Sequence, residues 1–216
     1  MFDRGYFMYK AYKYRIYPNQ EQCEKIEKTF DACRFVYNHY LKIQIDLYKQ
    51  GKRVMSVIDC LKHLEELKNK EVWLSEVSSQ ALFCSLCNLN IDFQKFLEIH
   101  TNFPNFKSKE KYIQSYNTVG YIHHLGKYIE IPMLGFVETE DELVPEGRSL
   151  SVTISKETNG KYYVSLYYTD VEVKSLPLTE EELPLGIGKL RVVSDDKAGE
   201  NQIRFEHNSD QPLRAA

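Results

Sequence analysis

The sequence predicts an α+β fold in which a helical block interrupts a β-domain. Three observations predict it. Residues 8–17 alternate apolar and polar side chains, as a half-buried strand does. Residues 19–100 repeat apolar side chains at spacings of three and four. After Pro104 the alternation returns in short runs separated by turn residues. A lone opening strand leaves backbone N–H and C=O groups unpaired, so it is expected to pair with the later strands, which makes the helices an insertion.

The elements follow in order. In the strand Met8 to Tyr17, residues Tyr12, Tyr14 and Ile16 share one face, and Lys13, Arg15 and Tyr17 share the other. Pro18 ends it. Asn19, with Gln22 three residues on, forms a capping-box pattern that opens a long helix. Its stripe is Cys23, Ile26, Phe30, Cys33, Tyr37, Leu41, Ile45 and Tyr48, and Gly51 stops it. Ser56 with Asp59 opens a shorter helix carrying Val57, Leu61 and Leu64. A third helix is expected from about Ser75 to His100, with the stripe Leu82, Leu86, Leu89, Phe93, Phe96 and His100. Tyr112–Val119, Lys127–Ile131 and Phe136–Thr139 are expected strands. "SVTISKETNGKYYVSLYY" is the strongest hairpin, with Asn159-Gly160 offering the two positive-φ positions of a type I′ turn. From Leu176 the pattern weakens into an acidic, proline-bearing linker, and the last stretch shows no clear period, so a poorly packed tail is expected.

Composition narrows the function. The 216 residues include 28 Lys/Arg and 31 Asp/Glu, a formal charge of −3 that is wrong for a uniformly basic nucleic-acid binder. The average conceals an asymmetry. Residues 1–130 hold 19 Lys/Arg against 15 Asp/Glu, and residues 131–216 hold 9 against 16. The first part suits a polyanion better than the second, although two solvated faces would give the same count. A hydrophobic content of 43% excludes disorder throughout. No apolar run reaches the ~18 residues of a membrane span, and the opening residues lack the apolar core of a signal peptide. The five cysteines are therefore expected to be reduced thiols in a cytoplasmic protein, with no membrane partner.

Few motifs point to catalysis. Cys84 and Cys87 form one C-x-x-C inside a helix, without a second pair at zinc-site spacing, so packing is the better reading than zinc. His123 and His124 are adjacent in an extended segment and face opposite ways, a poor metal pair. There is no phosphate-binding glycine loop and no G-x-S-x-G. Asp195 and Asp196 sit in the weakly patterned tail and read as a solvated turn. Two clusters of cations and rings remain. The first is Tyr9, Lys13, Arg15 and Tyr17, and the second is Phe103, Phe106, Lys107, Lys109, Lys111 and Tyr112. Such groups pair with phosphates and stack on bases. Tyrosines also suit strands and lysines suit loops, so pattern alone leaves both readings open.

Six segments, in order, resemble the OrfB/TnpB family of insertion-sequence proteins, transposon-borne relatives of type V CRISPR effectors. They are "KAYKYRIYPNQEQ" at Lys10–Gln22, "ACRFVYNHYL" at Ala32–Leu41, "WLSEVSSQAL" at Trp73–Leu82 with Phe93 and Phe96 after it, "FPNFKSK" at Phe103–Lys109, "IPMLGFV", and the hairpin. The resemblance covers Tyr9 to Leu185. It implies a β-barrel-like wedge domain, residues 8–20 and 108–176, with an inserted three-helix recognition lobe, residues 21–107. It implies partners too: a transposon-end guide RNA and target DNA. Carried over residue by residue, it marks Lys13, Arg15 and Tyr17 on the strand, Arg34, Tyr37 and Asn38 on the helix, and Lys107 and Lys109 in the loop; Phe106 and Lys111 flank these. Arg34 sits beside the Cys33–Tyr37 stripe, where bracing of the packing and a phosphate contact are equal readings.

The sequence departs from the family after Leu185. A Gly-Ile-Asp-like strand is expected there, its Asp being the first metal-binding carboxylate of a RuvC-type nuclease domain; here the text is Gly186-Ile187-Gly188. Gly188 offers no ligand, and no other catalytic residue is assigned. The family's later carboxylates, which would hold Mg²⁺, and its Zn²⁺-binding paired C-x-x-C motifs have no counterpart. The expectation is a chain truncated before the nuclease domain, with 177–216 as acidic linker and vestigial nuclease start. It would need no cofactor and would bind RNA or DNA without cutting. The alternatives are one half of a split RNA-guided endonuclease, completed by a separate RuvC part, or a transposase remnant without function.

Overall fold

The computed structural model describes residues 8–99, 102–110, 113–119, 122–142, 147–171, 184–185, 188–194 and 201–207. The chain divides into two compact units, Met1–Val173 and Lys174–Ala216. The first is α+β. Its elements are β1 (Met8–Tyr17), α1 (Gln20–Lys49), α2 (Val57–Lys70), a 3-10 turn (Val72–Glu76), α3 (Ser79–Ile99), β2 (Gln114–Thr118), β3 (His123–Leu125), β4 (Tyr128–Ile131), β5 (Gly135–Thr139), β6 (Arg148–Lys156) and β7 (Tyr162–Val171).

The seven strands form one antiparallel sheet in the order β2-β6-β7-β1-β5-β4-β3. The opening strand is its hub. Lys10 to Ile16 pair with Tyr168 to Tyr162 of β7, while only Ile16 and Tyr17 pair with β5. The sheet pivots at that corner and curls. His124 on the β3 edge reaches Tyr168 on β7, its Nε2 lying 2.8 Å from the hydroxyl oxygen. Ile16, Ile129, Ile131, Val137, Val152, Ile154, Val164 and Leu166 fill the core. Where the sequence implied a barrel-like domain, the described residues form an open sheet, with β2 and β3 as its edges. At three residues, β3 offers too short an edge to continue the ladder.

Both capping boxes form as read. Asn19 accepts from the Gln22 N–H while the Gln22 side chain accepts from the Asn19 N–H, and Ser56 and Asp59 do the same for α2. Gly51, at φ 65°, takes the left-handed position after α1. The third helix begins later than expected. Residues 72–76 form a 3-10 turn that buries Leu74, Val77 is extended, and α3 starts only at Ser79. The side chain of Ser78 accepts from the Ala81 N–H, so the first serine of "SS" caps the helix.

The hairpin between β6 and β7 closes differently from its sequence reading. Gly160 has a positive φ of 79°, but Asn159 is not left-handed. The Gly160 N–H donates to Glu157 O, and the Glu157 N–H donates to Lys161 O. That is a type I turn followed by a glycine bulge rather than a type I′ turn. Asn159 Oδ1 accepts the Lys161 N–H at 2.8 Å, a local bond that competes with the expected geometry.

Helices and sheet dock through side chains of α1. Gln22 Nε2 donates to Leu134 O and Phe136 O, at 3.1 and 2.9 Å. Glu27 Oε1 accepts from Lys156 Nζ at 2.6 Å and from the Tyr162 hydroxyl at 2.7 Å. Burial works against the Glu27 charge, yet these two donors hold its pKa below the usual carboxylate value, while burial and the hydrogen bond to Glu27 push the Tyr162 hydroxyl up.

The second unit covers the segment that the sequence reads as an acidic linker and poorly packed tail. It contains β8 (Pro184–Leu185), β9 (Gly188–Ser194) and β10 (Asn201–His207) in a small antiparallel sheet. Seven residue pairs join β9 to β10, from Ser194↔Asn201 to Gly188↔His207. Period two is present in "QIRFEH", where Ile203 and Phe205 alternate with Arg204 and Glu206, but each run is too short to stand out against its polar flanks. Gly188 opens β9. Asp195 and Asp196 lie outside the described residues.

Candidate nucleic-acid interface

The solvent face of β1 carries the first cluster. Because strand residues alternate, turning Ile16 into the core with the half-buried Tyr12 and Tyr14 puts the exposed Lys13 and Tyr17 and the half-buried Arg15 on the opposite face. Lys13 Nζ lies 2.8 Å from Glu157 Oε1 and 4.5 Å from the Tyr163 ring centroid. The Arg15 guanidinium covers the Tyr17 ring at 4.7 Å. Tyr9 stacks on Tyr167 with centroids 5.6 Å apart and planes within 1°. Tyr9, Tyr17 and Tyr167 are 63%, 42% and 41% exposed, so their rings are available from solvent. The register explains the patch: Ala11 faces Tyr167, Lys13 faces Ser165 and Arg15 faces Tyr163. Tyr163 and Tyr167 were not singled out in the sequence. Their alternation in "YYVSLYY" is visible there, but the neighbouring strand is not. A sheet face of rings and cations can stack unpaired bases and neutralise phosphates.

The second cluster joins α1 to the loop after α3. Asn38 Nδ2 donates to Lys107 O, and the Lys107 N–H donates to Asn38 Oδ1, both at 2.8 Å. This two-point clamp holds "FPNFK" against the helix. Lys107 Nζ turns inward, 4.0 Å from the Tyr37 ring centroid, and the Tyr37 hydroxyl donates to Asp92 Oδ2 at 2.8 Å. Burial lowers the Lys107 pKa, with Asp92 and Cys33 opposing the shift. Burial also pushes the Cys33 thiol up to about 12, so it packs as a neutral group. Arg34 pairs with Asp31 at 2.8 Å, and Lys109 Nζ lies 3.6 Å from the same oxygen. Phe106 is 51% exposed, and Lys111 lies outside the described residues.

Arg34, Tyr37 and Lys107 share one cleft of about 610 Å³, walled also by Phe30, Phe103 and Gln114. A neighbouring hollow of about 450 Å³ lies against Asp31, Arg34, Phe35, Asn38, His39 and Trp73. The structure thus gathers Arg34, Tyr37, Asn38, Lys107 and Lys109 around α1, while Lys13, Arg15 and Tyr17 occupy the outer face of the sheet. Cys84 and Cys87 are half-buried in α3, and burial raises both thiols. Among the described residues, no group of three or more His, Cys, Asp or Glu is placed to hold a metal ion.

The sequence is similar to known proteins. Residues 8–53 match the family model HTH_OrfB_IS605, described as a helix-turn-helix domain. A putative RNA-guided DNA endonuclease of Streptomyces pristinaespiralis is 29% identical over 197 residues, covering 86% of this chain and 47% of the relative. The putative RNA-guided DNA endonuclease InsQ of Escherichia coli K12 is 28% identical over 211 residues, covering 92% of this chain and 50% of InsQ. The chain belongs to the OrfB/TnpB family. It spans about half the length of these two relatives. The virulence protein VsdF of Salmonella dublin is 31% identical over 113 residues, 47% of this chain and 95% of VsdF. In this OrfB/TnpB chain the segment matched as helix-turn-helix is a strand followed by one unbroken helix of 30 residues, which ends before Gly51.

Proposed function

We propose that this chain is the nucleic-acid-holding part of a TnpB-like system, binding a transposon-end guide RNA and its DNA target without itself cutting. The carrying observation is the outer face of β1 and β7, where Tyr9, Arg15, Tyr17 and Tyr167 present rings and charge to solvent. The names of the two long relatives support the RNA-guided reading. In this reading residues 8–20 and 108–176 are the wedge, 21–107 the recognition lobe, and 177–216 the linker and start of a nuclease part. The strongly curled sheet suits a barrel-like wedge. Gly188 supports binding without cutting: at the position expected for a metal-binding Asp it supplies no carboxylate for Mg²⁺, so no hydrolytic step is assigned to these residues. The second reading is half of a split endonuclease completed by a separate RuvC part, for which β9 beginning at Gly188 is the specific observation.

The test is copurification of the full chain with RNA, followed by sequencing and binding curves at several salt concentrations. The expected result is enrichment of RNA from the transposon end over a charge-matched control, with affinity falling as salt rises. Replacing Arg15 and Tyr17 together by Ser should weaken binding by roughly tenfold or more while leaving the melting temperature within a few degrees. Absence of RNA enrichment overturns the proposal. Cleavage of a plasmid target by this chain alone with Mg²⁺ overturns the non-cutting part.

A further inference from the structure

We infer that the cleft between α1, the loop after α3 and β2 is a nucleotide pocket that takes one base turned out of its stack. The inference deepens the nucleic-acid reading and rests on it. Three observations carry it. The volume of about 610 Å³ falls within the range of sites that enclose small organic ligands. Three rings, the largely buried Phe30 and Tyr37 and the half-buried Phe103, line one space among polar side chains. One buried polar atom there has no partner: Gln114 Oε1, an acceptor shielded from solvent at the start of β2. An unpaired buried acceptor is costly, so a ligand that donates a hydrogen bond to it gains more than an equivalent surface contact would.

The chemistry of the lining selects a nucleotide. Aromatic walls accept a flat heterocycle, and the Gln114 oxygen accepts from an exocyclic amino group or ring N–H. Arg34 and the exposed Lys95 line the same cleft and suit an attached phosphate. The carboxylate of Asp92 also lies there, but it accepts the Tyr37 hydroxyl and faces the Lys107 ammonium, which reduces its repulsion of a phosphate. A free mononucleotide and a base flipped out of a polynucleotide share these features, and the experiment separates them.

The full chain is titrated with the four ribonucleoside monophosphates and with a short copurified RNA carrying a single abasic site at each position in turn. The expected result is one position whose abasic form binds about fivefold to a hundredfold more weakly than intact RNA, the range of one lost base–aromatic stack. In Gln114→Met the position-specific loss should disappear while the melting temperature holds or rises, because the orphaned acceptor is gone. Phe103→Leu, which removes the ring and keeps most of the apolar bulk, is the second variant; it should lose the position-specific effect too, with a lower melting temperature because Phe103 packs on Phe96 and Tyr48. RNA binding with no abasic-sensitive position overturns the pocket and leaves the proposed function standing. Monophosphate binding without RNA binding keeps the cleft as a free-nucleotide site and overturns both the flipped base and the proposed function. Binding of neither overturns both proposals.

Discussion

Asn38 is expected to be a structural clamp, and Asn38→Ala tests it. The amide makes two hydrogen bonds to the backbone of Lys107, each at 2.8 Å and partly buried. Truncation leaves the Lys107 N–H and C=O without partners. A buried group abandoned in this way costs about 1–3 kcal/mol, and partial solvent access places each toward the lower part of that range. The two together predict a loss of about 2–4 kcal/mol. For a chain of this size each kcal/mol moves the melting temperature by about 2–4 °C, so a drop of about 5–15 °C is expected. Urea unfolding followed by far-UV circular dichroism measures the free energy, and an unchanged slope shows that only stability moved. Lys107→Ala is the internal control, because it keeps both backbone bonds and removes only the ammonium over Tyr37, worth about 0.5–2 kcal/mol and partly offset by release of a buried charge. A stable Asn38→Ala protein with a tenfold loss of RNA affinity would refute the clamp and make Asn38 a direct contact.

Two further outcomes follow from the same geometry. Gln22→Ala removes the reciprocal cap of α1 and both donors to the β5 region, so a loss of about 2–3 kcal/mol is expected in the same urea experiment; a change below about 0.5 kcal/mol would show that the helix does not depend on it for docking. Burial lowers the pKa of His39, helped by His63, and of His124, helped by His123, from the ordinary 6.5. The unfolded chain then takes protons before the folded one does, so stability is level above pH about 6.5 and falls as pH drops toward the lowered folded-state values. Melting temperatures should therefore decline from pH 7.5 to 5.5, and less so in His124→Gln; a flat or rising profile contradicts the sign.

What was legible in the sequence was local. The capping boxes at Asn19 and Ser56 are read within four residues, and both form atom for atom. The two faces of β1 follow from alternation alone, and the α1 stripe from a repeat of three and four. What escaped was set over distance or by competition. Strand β3 has three residues, too few to show a period, and owes its existence to pairing with β4. The Asn159-Gly160 turn departs from type I′ because the Asn159 side chain binds its own loop. The start of α3 moved because Leu74 buries itself in a tight turn first. The Asn38–Lys107 clamp joins residues 69 apart, and no pattern inside either segment points to the other.

The clamp also bears on how family motifs should be read as binding sites. In "ACRFVYNHYL" and "FPNFKSK" the most distinctive side chains, Tyr37, Asn38 and Lys107, hold one another in place. Their contribution to a ligand is the shape of the cleft they build. Several cations in and around the two clusters already have carboxylate partners: Lys13 has Glu157, Lys156 has Glu27, Lys28 has Glu76, and Arg34 and Lys109 have Asp31. A phosphate arriving at any of them must displace a carboxylate already in place, so each such contact gains less than the same cation would if free. The formal charge of −3 is therefore no obstacle in itself, because the binding surface is decided pair by pair. Under the proposed function, affinity then comes largely from ring stacking and enclosed contacts, and the salt dependence of binding should be shallower than a count of basic residues near the two clusters would give.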